Sequence, residues 1–251
     1  MTSWINCLLV IIASLSSAMA MATDSITPYQ LHYRSEARGI SVTGMRELVA
    51  ENGHYRLSQT ANAMLASVSE TSRFRLLDGQ PQPIEFVYQR KVFGKRLERL
   101  NRFADDGSSA SFRENRQPEI HIDTPQAVYD PLSFQLAMRL QIQQSGTLQQ
   151  QQYLVVDEDR VRSQQYRLQE QTEWLETPVG WLKTQRLERI RDNSDKQTII
   201  WLAVDYDYVI VQIEHRKGDT ADNILSLTGG KVGGQDIRGM KQAPTATADT
   251  P

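Results

Sequence analysis

Alternation of apolar and polar side chains dominates the sequence from Tyr29 onward. In the opening segment, Tyr29, Leu31 and Tyr33 fall on one side of an extended chain, and the polar residues between them fall on the other side. A period of two residues is typical of a β-strand with one buried and one exposed face. Similar runs predict further strands at 54–61, 67–76, 84–92, 95–103, 108–113, 153–156, 161–172, 181–191, 197–204, 208–216 and 223–228.

Short polar turns separate these runs. Asn52-Gly53 precedes the strand at 54–61, and Asp78-Gly79 and Asp105-Asp106-Gly107 lie between neighbouring strands. Asn-Gly and Asp-Gly tolerate the positive φ angles that tight hairpins need, so consecutive strands are expected to pair. The run from Ile199 to Val204 is apolar throughout, which predicts a central strand covered on both faces.

One segment, near 130–144, departs from the alternation. Its leucines recur at helical spacing, which predicts a single α-helix. Asp130 can accept hydrogen bonds from the backbone N–H groups of the first turn, and Pro131 suits the first helical position. The predicted fold is all-β and mainly antiparallel: a curled sheet that forms a barrel, a half-barrel or a two-layer sandwich, with this one helix.

The two ends of the chain differ from the sheet region. Residues 1–22 combine a polar start, a short apolar run and candidate cleavage sites after Ala20 and Ala22, which predicts a secretory signal peptide and therefore export. The apolar run is far shorter than the roughly 20 residues of a transmembrane helix. Residues 23–228 are expected to form a single antiparallel β domain, and residues 229–251, with Gly, Thr, Ala and Pro, a disordered tail.

Composition excludes several classes of function for the chain that would remain after cleavage of the leader. Cys7 is the one cysteine of the sequence and lies in the predicted leader, so no cysteine nucleophile or thiolate metal site is expected after cleavage. The formal net charge of −2 argues against generic nucleic-acid binding. No other apolar stretch approaches membrane-spanning length, so no transmembrane segment is expected in the mature chain.

Candidate catalytic and metal-binding groups are weak. His121 and Asp123 share one face of a strand, but a metal site there would need a ligand from elsewhere. Ser133 lies outside any Gly-x-Ser-x-Gly motif, so its hydroxyl is expected to support the start of the helix. Paired acidic residues fall at predicted turns, where Asp serves local hydrogen bonding. No catalytic residue, cofactor or metal ion is predicted.

Aromatic residues supply the first candidate binding surface. Curled antiparallel sheets commonly enclose an apolar cavity, which aromatic side chains can line. The alternative is that the same side chains fill the core, and this is the expected role of Trp201 within its apolar run. The aromatic candidates are Tyr33, Phe86, Tyr88, Trp181, Trp201 and Tyr208.

Basic residues supply the second candidate surface. The segment from Arg90 to Arg102 carries six basic residues and one acidic residue, and it turns at Phe93-Gly94. Arg90, Lys91, Lys95 and Arg96, with an exposed Phe93, could contact anionic lipid head groups or an acidic partner. The alternative is that these cations protect strand edges from aggregation.

Several elements, in their order along the chain, resemble a known family. The match runs from Tyr29 to Thr228, and each piece alone is short. The pieces are the strand at Tyr29, Tyr55-Arg56-Leu57, the segment from Pro83 to Arg90, Asp130-Pro131-Leu132-Ser133 with Arg139, Thr177-Pro178-Val179-Gly180 and Trp201-Leu202. They resemble the exported family of Gram-negative bacteria called domain of unknown function 3108. The resemblance implies a periplasmic, antiparallel β-rich protein, and it implies no site residues, because the family has no established site.

The function predicted from these observations is that of a non-enzymatic periplasmic binding module. Its partner would be a lipid-like ligand in the sheet or another envelope protein. The alternative is an envelope hydrolase or carbohydrate-active enzyme whose acidic residues assemble only in the fold. The sequence leaves enzyme activity and the oligomeric state open.

Overall fold

The computed structural model describes residues 25–37, 39–124, 128–148, 152–191, 195–218 and 220–244. Within these ranges the chain forms one antiparallel sheet of 15 strands and a single α-helix, so the predicted all-β fold class is confirmed. The predicted signal peptide at 1–22 and the last part of the predicted tail, 245–251, lie outside the described residues. No helix in the described ranges is both long and apolar enough to cross a membrane.

Most strands begin and end close to the predicted runs. The strands before the helix are β1 (Tyr29–Ala37), β2 (Ile40–Glu51), β3 (His54–Ala63), β4 (Ala66–Leu77), β5 (Gln80–Val92), β6 (Lys95–Phe103), β7 (Ser109–Glu114) and β8 (Ile120–Asp123). The helix α1 (Ser133–Ser145) is followed by β9 (Gln152–Asp157), β10 (Arg160–Thr177), β11 (Gly180–Ile190), β12 (Lys196–Ala203), β13 (Val209–Lys217), β14 (Thr220–Val232) and β15 (Gln235–Asp236).

The sheet consists of two meanders that meet along one long-range pair of strands. Strands β1 to β8 follow one another across the sheet, and so do β9 to β14. The meanders join where β1 pairs with β14, with Tyr29 opposite Val232. This pairing brings the two ends of the domain side by side.

The sheet curls but strand pairing does not close it, and its edge strands are β8 and β9. Tyr129, which follows β8 in the chain, pairs with the edge strand β9: its N–H donates to the carbonyl of Leu154 at 2.9 Å, and its carbonyl accepts from Val156 N–H at 2.8 Å. From β6, Asn101 Nδ2 donates to the carbonyl of Glu158 at 2.9 Å. The sheet is therefore curled and open, and we call these contacts of Tyr129 with β9 and of β6 with Glu158 the seam.

Helix α1 is buried on two sides and fills the inside of the curl. Leu136 packs in the same cluster as Leu31 of β1, and Met138 packs with Ile200 of β12. The helix begins at Ser133, so the prediction that Pro131 is its first residue is wrong. The physical reason is that residues 130–132 form a separate turn.

Asp130 organises that turn. Its Oδ1 accepts hydrogen bonds from the N–H groups of Leu132 at 2.8 Å and Ser133 at 2.9 Å, and its own N–H donates to Ser133 Oγ at 2.9 Å. From β4, the Ser72 hydroxyl donates to Asp130 Oδ2 at 2.6 Å. Asp130 therefore accepts backbone N–H groups as predicted, but it does so in the turn before α1, whose cap position is Leu132. Ser133 supports this turn as expected.

The central strand predicted at 197–204 is found as β12. Ile199 and Trp201 belong to one buried cluster, and Ile200 and Leu202 belong to another. Both faces of this strand are therefore covered. Trp201 is a core residue, as expected, and its indole Nε1 donates to Glu173 at 2.7 Å.

The chain keeps its sheet structure beyond residue 228, where the sequence predicts that the domain ends. Strand β14 runs on to Val232, and Met240 exchanges two backbone hydrogen bonds with Trp181. The prediction of a disordered tail is wrong for 229–240. The glycines at 229–230 do not end the strand, because Gly230 lies where β1 approaches so closely that a Cβ would be 2.4 Å from the Gln30 carbonyl oxygen.

Candidate ligand cavity and basic hairpin end

A row of polar side chains crosses the inner face of the first meander. The strand register places Arg46 of β2 opposite Gln59 of β3, and Gln59 opposite Glu70 of β4. Directly opposed residues project from the same face of a sheet, so the three side chains meet. Arg46 Nη1 donates to Gln59 Oε1 at 3.0 Å, and Gln59 Nε2 donates to Glu70.

A cavity of about 150 Å³ lies beside this row. An apolar cavity of that volume holds a benzene-sized group in other proteins. Arg46, Gln59 and Glu70 line one part of it. Its apolar lining comes from β2, β3, β4, β13 and β14: Val42, Ala61, Val68, Ile210, Ile213 and Leu225.

Two buried arginines lie next to each other inside the sheet. Arg46 also lines a second cavity, of about 20 Å³, together with Arg139 of α1. Arg46 is 6% exposed and donates to the Tyr29 hydroxyl at 3.3 Å and to Gln135 Oε1 at 2.9 Å. Its hydrogen-bonding groups therefore have partners on three elements.

Arg139 is only partly satisfied. Its Nε donates to the carbonyl of Asp207 at 2.6 Å, and its guanidinium carbon lies 4.9 Å from the centre of the Tyr29 ring. Its two terminal nitrogens are buried and have no hydrogen-bond partner among the described residues. Since a buried donor without an acceptor costs free energy, these nitrogens favour an added acceptor beside the small cavity.

Electrostatics inside the sheet favour an anion. Burial lowers the pKa of Arg139, although nearby Tyr29 and Asp207 oppose the shift, and the group keeps its charge at neutral pH because its ordinary pKa is so high. Burial raises the pKa of Glu70, against the effects of the Gln59 hydrogen bond and the Arg46 charge. The two arginines therefore lie near a carboxyl group, Glu70, that loses its proton less readily than usual, with Asp207 as a further acidic neighbour of Arg139.

The predicted aromatic residues occupy three kinds of position: the walls of the two cavities, the rest of the sheet's packing, and the region near the β10–β11 turn. Tyr33 lines the larger cavity, and its hydroxyl donates to the Ile210 carbonyl at 2.7 Å, while Tyr208 lines the smaller cavity. Phe86 is buried in the main core, and Tyr88 lies 5.7 Å beneath the guanidinium of Arg99.

Trp181 is the aromatic candidate near the β10–β11 turn. It pairs through its backbone with Met240, near the turn between β10 and β11, and it lines neither cavity. The structure therefore brings Tyr33 and Tyr208 to the inner cavities and separates Trp181 from them.

The basic residues surround the turn between β5 and β6, as the sequence predicts, and Arg90, Lys91, Lys95 and Arg96 are all exposed. Strand β5 pairs with β4 up to Val92, so Arg90 and Lys91 lie between two partner strands. Strand β7 pairs with β6 only from Arg99 onward, so Lys95 and Arg96 lie on an unpaired edge of β6, and protection of this edge stays a prediction for these two cations. Arg90 lies opposite Val68, which lines the larger cavity. One end of the β5–β6 hairpin therefore adjoins the cavity wall.

Sequence reasoning missed the polar groups of the cavity. Arg46 and Glu70 occupy positions in phase with the buried residues of their strands, Leu48 and Phe74. A charged residue in phase with apolar neighbours is the signal that could have identified them. Arg139 gives the same signal in α1, between buried Ala137 and Leu140.

The candidate metal pair gains no third ligand. His121 Nε2 and Asp123 Oδ1 are 3.0 Å apart on β8, and both side chains are exposed. Among the described residues, no group of three His, Cys, Asp or Glu side chains is close enough to hold a metal ion.

Comparison with known proteins identifies the family. Residues 28–220 match the model of the family described as "Protein of unknown function (DUF3108)". The chain belongs to the DUF3108 family. No curated protein matches the sequence.

A solved structure shares the fold of this DUF3108 protein. It is the crystal structure of a β-barrel-like protein of domain of unknown function DUF1849 from Brucella abortus, with a TM-score of 0.54 and 12% sequence identity. The match covers 82% of this chain and 98% of the Brucella chain. At this identity the likeness shows a common fold alone.

Proposed function

We propose that this DUF3108 protein is an exported, periplasmic binding module that holds a lipid-like ligand with an anionic head group inside its curled sheet. The observation that carries the proposal is the unpartnered pair of guanidinium nitrogens on buried Arg139, next to Arg46 and an apolar cavity. The leader predicted at 1–22 supports the location, because it is typical of secreted proteins.

The head group is expected to contact both arginines. A carboxylate or phosphate oxygen supplies the acceptor that Arg139 lacks, and a charge-assisted hydrogen bond to arginine is stronger than a neutral one. The smaller cavity has room for about one water-sized group, such as a single acid oxygen. Charge and volume at this point both favour a compact anion.

The apolar part of the ligand is expected to occupy the larger cavity. Arg46 lines both cavities, so a molecule whose head group contacts Arg46 can extend along Val68 and Leu225. The volume of about 150 Å³ fits a short hydrocarbon segment, and a longer chain would leave past Arg90. The ligand class is therefore an amphipathic acid.

A pair of probes with the same tail tests this proposal. Decanoate is expected to bind the full-length mature protein at least about tenfold more tightly than decanol, because only decanoate forms a charge-assisted bond with Arg139. Titration calorimetry measures both affinities. Equal binding of the two probes, or no binding of either, contradicts the proposal.

The variant Arg139→Met separates ligand binding from folding. It removes a partly unpaired buried charge and keeps a similar volume, so the melting temperature should change little, while the preference for decanoate disappears. The control is Arg34→Gln, which alters an exposed arginine on β1 and should leave both quantities unchanged. A large loss of stability with an unchanged decanoate preference would assign Arg139 a purely structural role.

A further inference from the structure

One hairpin turn carries a residue type that its backbone disfavours. Among the described residues of the first meander, three two-residue turns have two successive positive φ angles: Asn52-Gly53 (48° and 82°), Asp78-Gly79 (51° and 73°) and Phe93-Gly94 (47° and 81°). Asn and Asp tolerate this geometry at the first position, whereas a bulky residue with positive φ is uncommon. The turn between β5 and β6 therefore keeps Phe93 where its neighbours use Asn or Asp, which points to a role for the exposed ring.

The adjacent turn joins this one into a single apolar surface. Phe93 N–H donates to the Leu65 carbonyl at 3.0 Å, which holds the β5–β6 turn against the β3–β4 turn. Met64 is 90% exposed, Phe93 76% and Leu65 55%. We call these three residues the hairpin tip. Large apolar side chains so exposed at adjacent turns favour insertion into an apolar phase.

The charges around the hairpin tip all have one sign. The ends of the two hairpins, 60–69 and 89–97, contain four basic residues and no acidic residue, in a chain whose formal net charge is −2. Val92 lies opposite Ala66, and the exposed cations Lys91 and Lys95 come directly before Val92 and directly after the turn. The apolar tip is therefore flanked by cations at a short distance along the chain.

We infer that the hairpin tip docks on a lipid bilayer that contains anionic phospholipid. Met64, Leu65 and Phe93 would enter the boundary between head groups and acyl chains, and the flanking cations would contact lipid phosphates. A bilayer fits better than a folded protein, because the tip projects as two turns and offers the apolar side chains together with a positive rim. The inference goes beyond the proposed function, since it does not require a ligand in the cavity.

Docking in this way sets the position of the cavity. Arg90 belongs to the positive rim, and its opposite residue Val68 lines the larger cavity. A bilayer on the hairpin tip therefore lies next to one wall of the cavity. This geometry suits a binding module that takes up a lipid-like molecule from a membrane surface.

The variant Phe93→Asn tests the inference without damaging the fold. Asn-Gly is the preferred pair for this turn, so the melting temperature should stay the same or rise. Binding to vesicles of equal parts phosphatidylglycerol and phosphatidylcholine should weaken at least about tenfold, because an inserted Phe side chain is lost. Co-sedimentation measures the binding. The matched control is Leu77→Ser, which removes a side chain that is 55% exposed at the β4–β5 turn and should leave binding unchanged.

Single neutralisations test the contribution of charge. Lys95→Gln should weaken binding to the same vesicles about fivefold, as expected for one cation at an anionic surface, while Arg34→Gln should not. The wild type should bind vesicles of pure phosphatidylcholine much more weakly than the anionic vesicles. The inference is overturned if the wild-type protein does not bind anionic vesicles, or if the Phe93→Asn variant binds them as tightly as the wild type.

The cavity variant distinguishes this inference from the proposed function. Arg139→Met should lose the preference for decanoate and still bind anionic vesicles. Phe93→Asn should show the reverse pattern. Failure of one assay with success of the other therefore identifies which of the two ideas is wrong.

Discussion

At the scale of single residues, buried charge is the main feature that sets this protein apart from a simple β-sheet core. Arg46 and Arg139 are nearly inaccessible, and both contact Tyr29. Burying a charge is costly unless it is paired, and Arg139 is only partly paired. Alternation in the sequence identifies which positions face inward, but it does not show which strands supply their partners. Tyr33 and Tyr208 could therefore be proposed from the sequence, whereas the arginine pair could not.

Glu70 gives a testable pH dependence. Burial raises its folded-state pKa above the ordinary value for a glutamate, so between the unfolded and the folded pKa the folded protein binds this proton more strongly than the unfolded chain does. The stabilisation from this proton is complete below the unfolded pKa and is lost as the pH rises through the folded pKa. Glu70→Gln should therefore increase the free energy of unfolding more at about pH 8 than at about pH 5, measured by urea denaturation.

The carboxyl groups of Asp130 and Glu98 affect how the Glu70 experiment is interpreted. Burial also raises the pKa of Asp130, so some pH dependence should remain in the variant. Glu98→Gln changes an exposed carboxyl group on β6 and serves as the control, with little effect expected at either pH. An equal gain in stability for Glu70→Gln at both pH values would show that Glu70 has an ordinary pKa.

At the scale of elements, the sequence predicts hairpins well and misses strands with interrupted alternation. Strand β2 was not predicted, because Gly44 and Arg46 occupy two of its inward positions and leave no apolar run. The end of β14 was missed for a related reason, since Gly229-Gly230 normally indicates a turn. In both cases pairing with β1 imposes the extended conformation, and such tertiary contacts are not visible in a local pattern.

The glycines of β14 provide a matched pair of variants. A Cβ at Gly230 would lie 2.4 Å from the Gln30 oxygen and 2.9 Å from Leu31 Cα, and its φ is 150°. Gly230→Ala should therefore reduce the free energy of unfolding by about 2 kcal/mol or more, as expected for forced overpacking. Gly229→Ala meets no atom within 4 Å and should change it far less. Chemical denaturation measures both, and equal effects would contradict the close approach of β1.

At the scale of the whole molecule, the sheet contains two kinds of contact. The pairings within each meander are local, and a sequence can predict them from turns. The β1–β14 pairing and the seam at Tyr129 join residues far apart in the chain, and loop-closure entropy opposes them until the rest of the sheet has formed. The sequence therefore predicts the fold class correctly, but whether the sheet closes into a barrel depends on the long-range contacts, which only the structure shows.

The seam should be the weakest of these junctions. Its backbone bridge is supported by a side-chain ion pair between Arg99 of β6 and Glu158. Arg99→Ala should accelerate hydrogen exchange at the backbone N–H groups of Tyr129 and Val156 several-fold and leave the β1–β14 pairs unchanged, because local opening needs only the seam. Exchange followed by mass spectrometry measures this. Arg102→Ala, on the same strand but paired with Glu85, is the control, and uniform acceleration would indicate global destabilisation.

The junction of β1 with β14 also affects how the chain matures. A ribosome makes β1 first and β14 almost last, so one long edge of β1 lacks its partner while nearly all of the domain is being synthesised. Unpaired backbone groups next to buried residues such as Leu31 and Tyr33 are a template for aggregation between nascent chains. The two meanders can therefore join only once β14 has been made, and a holding chaperone that covers β1 until then would raise the yield of native protein.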